Sequence, residues 1–129
     1  MNILVKSSAS ILIALGLSLS ATSAMAADTT SPIYQVKNAS GGVISAGAKE
    51  FRKGNFKKSI TYSNAALKSS LSKRRQAIAQ SNLCAAYAEL GDFNKAGKAC
   101  TKALVLRPGY APAAANKAAL TIQLAAIQN

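Results

Sequence analysis

The stretch 81–108, SNLCAAYAELGDFNKAGKACTKALVLRP, constrains the fold more than any other part of the chain. Its apolar spacing predicts two amphipathic helices separated by a tight turn at Gly91 and Asp92. Glycine readily takes the left-handed conformation that closes a helix, and aspartate is a preferred cap for the next one. Pro108 ends the second helix, because the residue before a proline resists helical geometry. The stretch therefore predicts a helical hairpin.

The same turn pattern occurs 37 residues earlier in the chain. Gly54-Asn55-Phe56 precedes Gly91-Asp92-Phe93 by that distance, and Ala66-Leu67 precedes Ala103-Leu104 by the same distance. Asn55 is the predicted cap of the helix that follows the first turn. A fixed offset of this size is typical of proteins built from stacked helical repeats. We predict a degenerate first unit at 43–70, a well-formed unit at 73–108 and a capping helix at 111–127, which begins with Pro112 in its first turn.

The well-formed unit resembles the tetratricopeptide repeat family. The residues that carry the resemblance are Leu83, Cys84, Tyr87, Gly91, Phe93, Ala96, Cys100, Ala103, Leu104 and Pro108. The first unit matches less well, with Ser59 where alanine is usual and no closing proline. The resemblance implies an all-α protein, folded as a short right-handed α-solenoid of about two hairpins. It also implies that the first helix of each hairpin lines a concave groove.

The composition agrees with an all-α fold and leaves little for catalysis. Only 5% of the residues are aromatic and alanine is abundant, which favours closely packed helices over a sheet. The chain has no histidine, so a Ser-His or Cys-His nucleophile and imidazole metal ligands are absent. The four carboxylates, Asp28, Glu50, Glu89 and Asp92, show no paired arrangement. We therefore expect no enzymatic activity, no metal and no cofactor.

The first 26 residues have the pattern of a secretory signal peptide. Lys6 supplies the positive charge, 11–19 the apolar stretch, and Ala24-Met25-Ala26 the cleavage motif, with cleavage between Ala26 and Ala27. Such a leader predicts an exported protein, in the bacterial periplasm. Residues 27–42 are rich in breakers and predict a flexible lead-in. Within it, Ile33, Tyr34 and Val36 are candidates for a short extended piece that docks on the helices.

Cys84 and Cys100 are the only cysteines. They lie at about equal distances from the turn at Asp92, one on each predicted helix, and should face each other about 4–5 Å apart at Cα. An exported protein meets an oxidising compartment, so a Cys84–Cys100 disulfide is the favoured interpretation. Two buried thiols and a redox-active pair are the alternatives, and the second lacks a C-x-x-C spacing.

Binding is the remaining class of function, and the predicted groove is its first candidate. In the family the groove usually takes an extended peptide, and one variant grips a C-terminal carboxylate with Lys, Asn and Arg side chains. Asn82 and Asn116 suit such a clamp, but Ile44 and Ala48 stand where further polar residues would be needed, so no clamp is predicted. The candidate groove residues are Ile44, Ala48, Phe51, Arg52, Ser81, Asn82, Ala85, Glu89, Asn116 and Ala119.

The charge suggests a second class of partner. The chain carries 16 Lys and Arg against 4 Asp and Glu, which attracts anionic surfaces without naming one. Basic residues cluster at Lys73-Arg74-Arg75 and along the second helices, at Lys57, Lys58, Lys68, Lys95, Lys98 and Lys102. A basic face that is only solvated is the favoured interpretation of these clusters. As a partner, an envelope polymer or membrane surface fits an exported protein better than nucleic acid does. Self-association through the apolar last helix is a third possibility, because we expect its residues Leu120, Ile122, Leu124 and Ile127 to be poorly covered.

Overall fold

The computed structural model describes residues 33–129, and this part of the chain is entirely helical apart from its turns and its first residues. The predicted signal peptide and its predicted cleavage site lie outside the described residues. Five helices follow one another, and the all-α expectation is confirmed. They are α1 (Gly42–Arg52), α2 (Phe56–Leu67), α3 (Lys73–Glu89), α4 (Phe93–Leu106) and α5 (Ala111–Gln128).

Two of the turns between helices are built alike. Gly54 and Gly91 have φ of 82° and 79°, the left-handed region in which glycine carries no steric penalty. The N–H of Gly54 donates to the Phe51 carbonyl at 2.8 Å, and that of Gly91 donates to the Ala88 carbonyl at 3.0 Å. The next N–H in each turn reaches five residues back, to Glu50 and Tyr87. The sequence repeat therefore corresponds to a repeated turn geometry.

The caps that follow these two turns differ. The Asp92 carboxylate accepts from the Lys95 N–H at 3.2 Å and caps α4, as the sequence predicts. The predicted cap at Asn55 is wrong, because its side-chain amide instead donates to the Glu50 carboxylate at 2.8 Å. The equivalent position in the second turn is Tyr87, which offers no carboxylate to compete for the capping side chain.

Small side chains let the helices pack closely. Each helix contacts the next along the chain, and α3 also contacts both α1 and α5. Cys84, Ala96 and Ala103, which the sequence places between the helices, are fully buried. Gly47 lies so close to α2 that an added Cβ would come within 3.3 Å of the Ser59 carbonyl oxygen. The core therefore depends on close approach of helices rather than on large side chains.

A disulfide joins α3 to α4. The Sγ atoms of Cys84 and Cys100 are bonded at 2.04 Å, and the two Cα atoms are 5.2 Å apart. Both residues are fully buried in one hydrophobic cluster with Leu83, Ala85 and Ala99. The structure thus shows the disulfide that the sequence analysis favoured.

Residues 33–39, here called the strap, precede α1 and lie against the helices. Tyr34 and Ala39 are buried, and Val36 packs against the cluster that holds the disulfide. Ile33 remains 84% exposed, so the expected docking includes Tyr34 and Val36 but not Ile33. Within residues 33–129, no helix combines the length and apolar character needed to cross a membrane.

Removing the disulfide should lower stability. A Cys84→Ala/Cys100→Ala variant loses the cross-link of a short loop, worth about 3 kcal/mol in the chain-entropy account. Urea unfolding followed by circular dichroism measures the loss. The reducing agent dithiothreitol should lower the stability of the parent protein and leave that of the variant unchanged. Alkylation of both cysteines in the unreduced parent would contradict the disulfide.

Two helical glycines provide a matched test of helix packing. Gly97→Ala should stabilise the protein by about 0.5–1 kcal/mol, because alanine is the better helix former. The added Cβ would meet only a Leu120 methyl, at 3.8 Å. Gly47→Ala should lose that gain, because its Cβ would lie 3.2 Å from the Ser63 hydroxyl as well as close to Ser59. Equal stabilisation of both variants in urea unfolding would rule out the close approach of α1 and α2.

Candidate functional site

The strap is held through its main chain by two buried asparagines. Asn82, on α3, accepts from the Lys37 N–H at 2.9 Å and donates to the Lys37 carbonyl at 2.9 Å. Its side chain is fully buried. One side-chain amide therefore satisfies both main-chain polar groups of one strap residue, as a neighbouring β-strand would.

Asn116, on α5, does the same two residues earlier in the strap. It accepts from the Gln35 N–H at 2.6 Å and donates to the Gln35 carbonyl at 2.8 Å. The same amide nitrogen lies 3.3 Å from the Ser81 carbonyl oxygen. This third contact ties Asn116 to α3, so the amide is held in place by the neighbouring helix.

A third contact extends the series to α1. The Ser45 hydroxyl donates to the Ala39 carbonyl. Helices α1, α3 and α5 thus hold Ala39, Lys37 and Gln35, which alternate along the strap. Because alternate residues of an extended chain present their main-chain groups to the same side, the strap is bound as an extended segment. It runs from the last helix towards the first.

The helix residues in this series follow the sequence repeat. Ser45 precedes Asn82 by 37 residues, and Asn82 precedes Asn116 by 34. The first spacing equals the offset between the two turns, and the second equals the usual repeat length of the family that the sequence resembles. Equivalent positions on successive units therefore contact successive alternate residues of the strap.

Side chains of the strap add apolar contacts and one further hydrogen bond. Tyr34 is 6% exposed and shares a core cluster with Ala85 and Ala119. Its hydroxyl donates to the side-chain amide oxygen of Gln123 on α5. Burial raises the pKa of the Tyr34 phenol, and the nearby Glu89 carboxylate raises it further. The phenol therefore stays protonated, as the hydrogen bond to Gln123 requires.

One side of the strap borders an open cavity of about 600 Å³. Phe51, Arg52 and Glu89 line its wall together with strap residues. Arg52 donates to the Asn38 side-chain oxygen at 3.1 Å. Partial desolvation raises the pKa of the Glu89 carboxyl. Lys37 of the strap and Phe56 also line the cavity, which thus places two cations and one anion beside aromatic rings.

The structure brings most of the predicted groove residues against the strap. Asn82, Asn116 and Arg52 bond to it, and Ser81 supports Asn116 from behind. Ala85, Ala119 and Phe51 belong with Tyr34 to one hydrophobic cluster, whereas Ile44 belongs with Ala39 to another. Ala48 is fully buried and Glu89 stands at the rim of the cavity. The surface formed by these residues on α1, α3 and α5, here called the groove, is covered by the chain's own strap.

The sequence analysis missed Ser45, Gln123 and the occupied state of the groove. A signal for Ser45 was present, since it lies one repeat offset before Asn82. Gln123 has no such signal, because it accepts from Tyr34 only where the fold places the Tyr34 hydroxyl next to it. A side chain that bonds to the main chain of a distant extended segment has no fixed sequence separation from that segment. The sequence alone therefore does not show which residues pair.

The exposed basic residues lie elsewhere. The lysines predicted on the second helices are all exposed; they are Lys57, Lys58, Lys68, Lys95, Lys98 and Lys102. Lys98, Lys102 and Lys117 border an open cavity of about 570 Å³ between α4 and α5. Among residues 33–129, no group of three His, Cys, Asp or Glu side chains is placed to hold a metal ion.

The last helix offers less apolar surface than the sequence suggests. Leu120 is only 4% exposed, and Leu124 packs against the main cluster. These two residues were expected to be poorly covered, and for Leu120 that expectation is wrong because α4 packs over it. Ile122 and Ile127 are each 61% exposed.

Comparison with known proteins adds no relative: no family model, no curated protein and no solved structure matches the chain.

Asn82→Asp should test the main-chain contact directly. The new carboxylate can accept from the Lys37 N–H but cannot donate to the Lys37 carbonyl, and burying the charge adds a further cost. We expect a loss of about 2–4 kcal/mol at neutral pH. Burial raises the pKa of such a carboxyl, so the loss should shrink as the pH falls through that pKa and the protonated group regains a donor.

Asn64→Asp on the exposed side of α2 is the matched control, and it should change stability by less than about 0.5 kcal/mol. Urea unfolding at several pH values measures both variants. If both substitutions changed stability equally and only slightly, Asn82 would not be the residue that holds the strap in place.

Proposed function

We propose that this chain is a tetratricopeptide-like binding module that holds an extended segment of a partner protein along α1, α3 and α5. It acts as an adaptor or assembly factor in the bacterial cell envelope rather than as an enzyme. The observation that supports the proposal is the pair of fully buried asparagines, each bonded to both main-chain groups of one residue in an extended segment.

Main-chain recognition explains how such a groove can bind a protein segment. Every residue except proline offers one N–H and one carbonyl, so Asn82 and Asn116 can hold many sequences in the same register. Selectivity then depends on side chains that enter the apolar parts of the groove. This division between main-chain affinity and side-chain specificity is the one found where an extended peptide is added to the edge of a sheet.

Two of the three acidic residues in the described region, Glu50 and Asp92, are used for structure. Glu50 accepts from Lys53 and Asn55, and Asp92 caps α4 and pairs with Lys95. Glu89 stands alone at the cavity rim. A pair of carboxylates with separated pKa values, as general acid–base catalysis uses, is not formed within residues 33–129. The arrangement supports a binding role.

A second candidate is binding to an anionic envelope polymer or membrane surface. The observation in its favour is the exposed row of Lys95, Lys98 and Lys102 on α4, which lies away from the strap. Such binding would rest on charge and would fall steeply with salt. The two candidates therefore use different surfaces of the molecule.

A capture experiment with envelope extract separates the two candidates. The immobilised protein is compared with Asn82→Leu, which removes the main-chain hydrogen bonds, and with Lys95→Gln/Lys98→Gln/Lys102→Gln. Bound protein is crosslinked and quantified at roughly 0.05 and 0.5 M salt, which changes charge screening about threefold in Debye length. We expect capture of a discrete protein that survives high salt and the lysine variant but is lost in Asn82→Leu.

The opposite pattern, capture that is lost at high salt and in the lysine variant but kept in Asn82→Leu, would favour the anionic partner. Circular dichroism and thermal unfolding of each variant serve as the control, since only folded variants are compared.

A further inference from the structure

We propose that the strap is an internal ligand, which occupies the groove in place of a partner segment and must leave before the partner binds. The partner segment then has the chemistry of the strap: an extended peptide with an aromatic residue, a branched aliphatic residue two positions later and a small residue three positions after that. This inference rests on the proposed function. It specifies which class of peptide the groove binds and how the strap controls access to the groove.

The hydrogen bonds that hold the strap are of a kind that a separate peptide can reproduce. Five of them involve main-chain groups of Gln35, Lys37 and Ala39. The side chains of Gln35 and Lys37 are exposed and contribute no hydrogen bond to the groove. Another polypeptide in the same register would therefore make the same five bonds whatever residues it carried at these two positions.

Selectivity comes from the side chains that enter the groove. Tyr34 is buried and reaches Gln123 with its hydroxyl, and Val36 is partly buried in the same cluster. Ala39 is 6% exposed and packs with Ile44, so the groove is narrow at that position. These three positions define the aromatic, aliphatic and small pattern that we expect in a partner.

The way the strap is attached allows it to leave without unfolding the helices. Between Ala39 and α1 there are only Ser40 and Gly41, and both Gly41 and the first residue of α1, Gly42, have positive φ. Rotation at these two glycines would swing the strap away. The groove floor would persist, because the Cys84–Cys100 disulfide and the contacts of α3 with α1, α2, α4 and α5 do not involve the strap.

The asparagines and the apolar side chains around them explain why the groove is not left empty. Without the strap, the amides of Asn82 and Asn116 would lose four hydrogen bonds to main-chain groups in an apolar surround. Water that enters the open groove can replace some of these bonds, but the apolar surface that Tyr34, Val36 and Ala39 cover would be exposed, so exchange of one extended segment for another is favoured over an open groove. The strap thus covers the groove, and a partner must bind the groove more tightly than the tethered strap does.

Binding of a defined peptide tests the proposal. The probe is a fluorescent peptide with the sequence of residues 33–39, followed by anisotropy, and the proteins are the parent chain and Tyr34→Ser. The substitution weakens the internal strap but leaves every groove residue intact. Because a tethered segment acts at high effective concentration, the parent should bind weakly, and Tyr34→Ser should bind at least tenfold more tightly.

Backbone methylation of the peptide fixes the register. A peptide N-methylated at the position of Lys37 cannot donate to Asn82 and should lose at least tenfold in affinity for Tyr34→Ser. The matched peptide N-methylated at the position of Val36 should keep its affinity, because the Val36 N–H bonds to no group among the described residues. Asn82→Leu combined with Tyr34→Ser should bind neither peptide.

The outcomes separate this inference from the proposed function. Methylation-sensitive binding that is equally tight in the parent and in Tyr34→Ser would overturn the internal-ligand role while supporting the groove as a peptide site. If the peptide bound neither the parent nor Tyr34→Ser, the proposal that the strap can be exchanged would be overturned. The proposed function would then rest on the envelope capture alone. Capture that fails while peptide exchange succeeds would reject an envelope partner but keep the internal ligand.

Hydrogen exchange in the parent protein covers the case in which Tyr34→Ser does not fold. The amides of Gln35 and Lys37 should exchange at least a hundredfold faster than that of Ala86 on α3, because the strap opens locally. Equal protection of all three amides would mean that the strap leaves only when the whole domain unfolds, which would overturn the proposal.

Discussion

The structure depends on the need of two fully buried amides for hydrogen-bond partners. Asn82 and Asn116 have no exposed surface, and a buried amide without a partner costs more than its hydrogen bond gains. Main-chain groups of an extended segment meet that need, and the strap supplies them. The strap, which has no regular structure of its own, thereby covers a groove in which two amides lie among apolar side chains.

The small side chains of the core make this arrangement possible and also make it weak. Alanine, cysteine and glycine at helix contacts bring α1, α3 and α5 close enough for one short segment to reach all three. The same residues bury little apolar area each, so the core gains less from the hydrophobic effect than one built of large side chains. The Cys84–Cys100 disulfide, within the hairpin, offsets part of this smaller hydrophobic stabilisation. The buried side chain of Tyr34, on the strap, offsets another part.

Sequence reasoning predicted the helices, their turns and the disulfide from local signals. The left-handed glycines at 54 and 91 and the capping Asp92 act within a few residues, so their effects are visible in the sequence. Asn55 shows the limit of such rules, because its side chain is drawn away by Glu50, which has no counterpart at Tyr87. The groove residues were predicted from the family resemblance, but their occupant was not, since the pairing of Asn82 with Lys37 spans 45 residues. Ser45, Asn82 and Asn116 follow the repeat spacing, but hydrogen bonds to main-chain groups carry no residue preference on the strap's side, so the sequence of the strap contains no pattern that would reveal them.

The short tether between strap and helix sets the conditions for function. With two residues between Ala39 and α1, the strap remains near the groove even when released, at an effective concentration that a free peptide of equal affinity rarely exceeds. A partner must therefore gain contacts that the strap lacks. The cavity beside the strap offers Phe51, Arg52 and Glu89 for such contacts, and the exposed lysines offer an electrostatic approach that raises the encounter rate. For the proposed exchange, a partner segment longer than the strap and apolar along the groove meets this requirement, and the lysines on α4, which lie away from the strap, act on the rate of encounter alone.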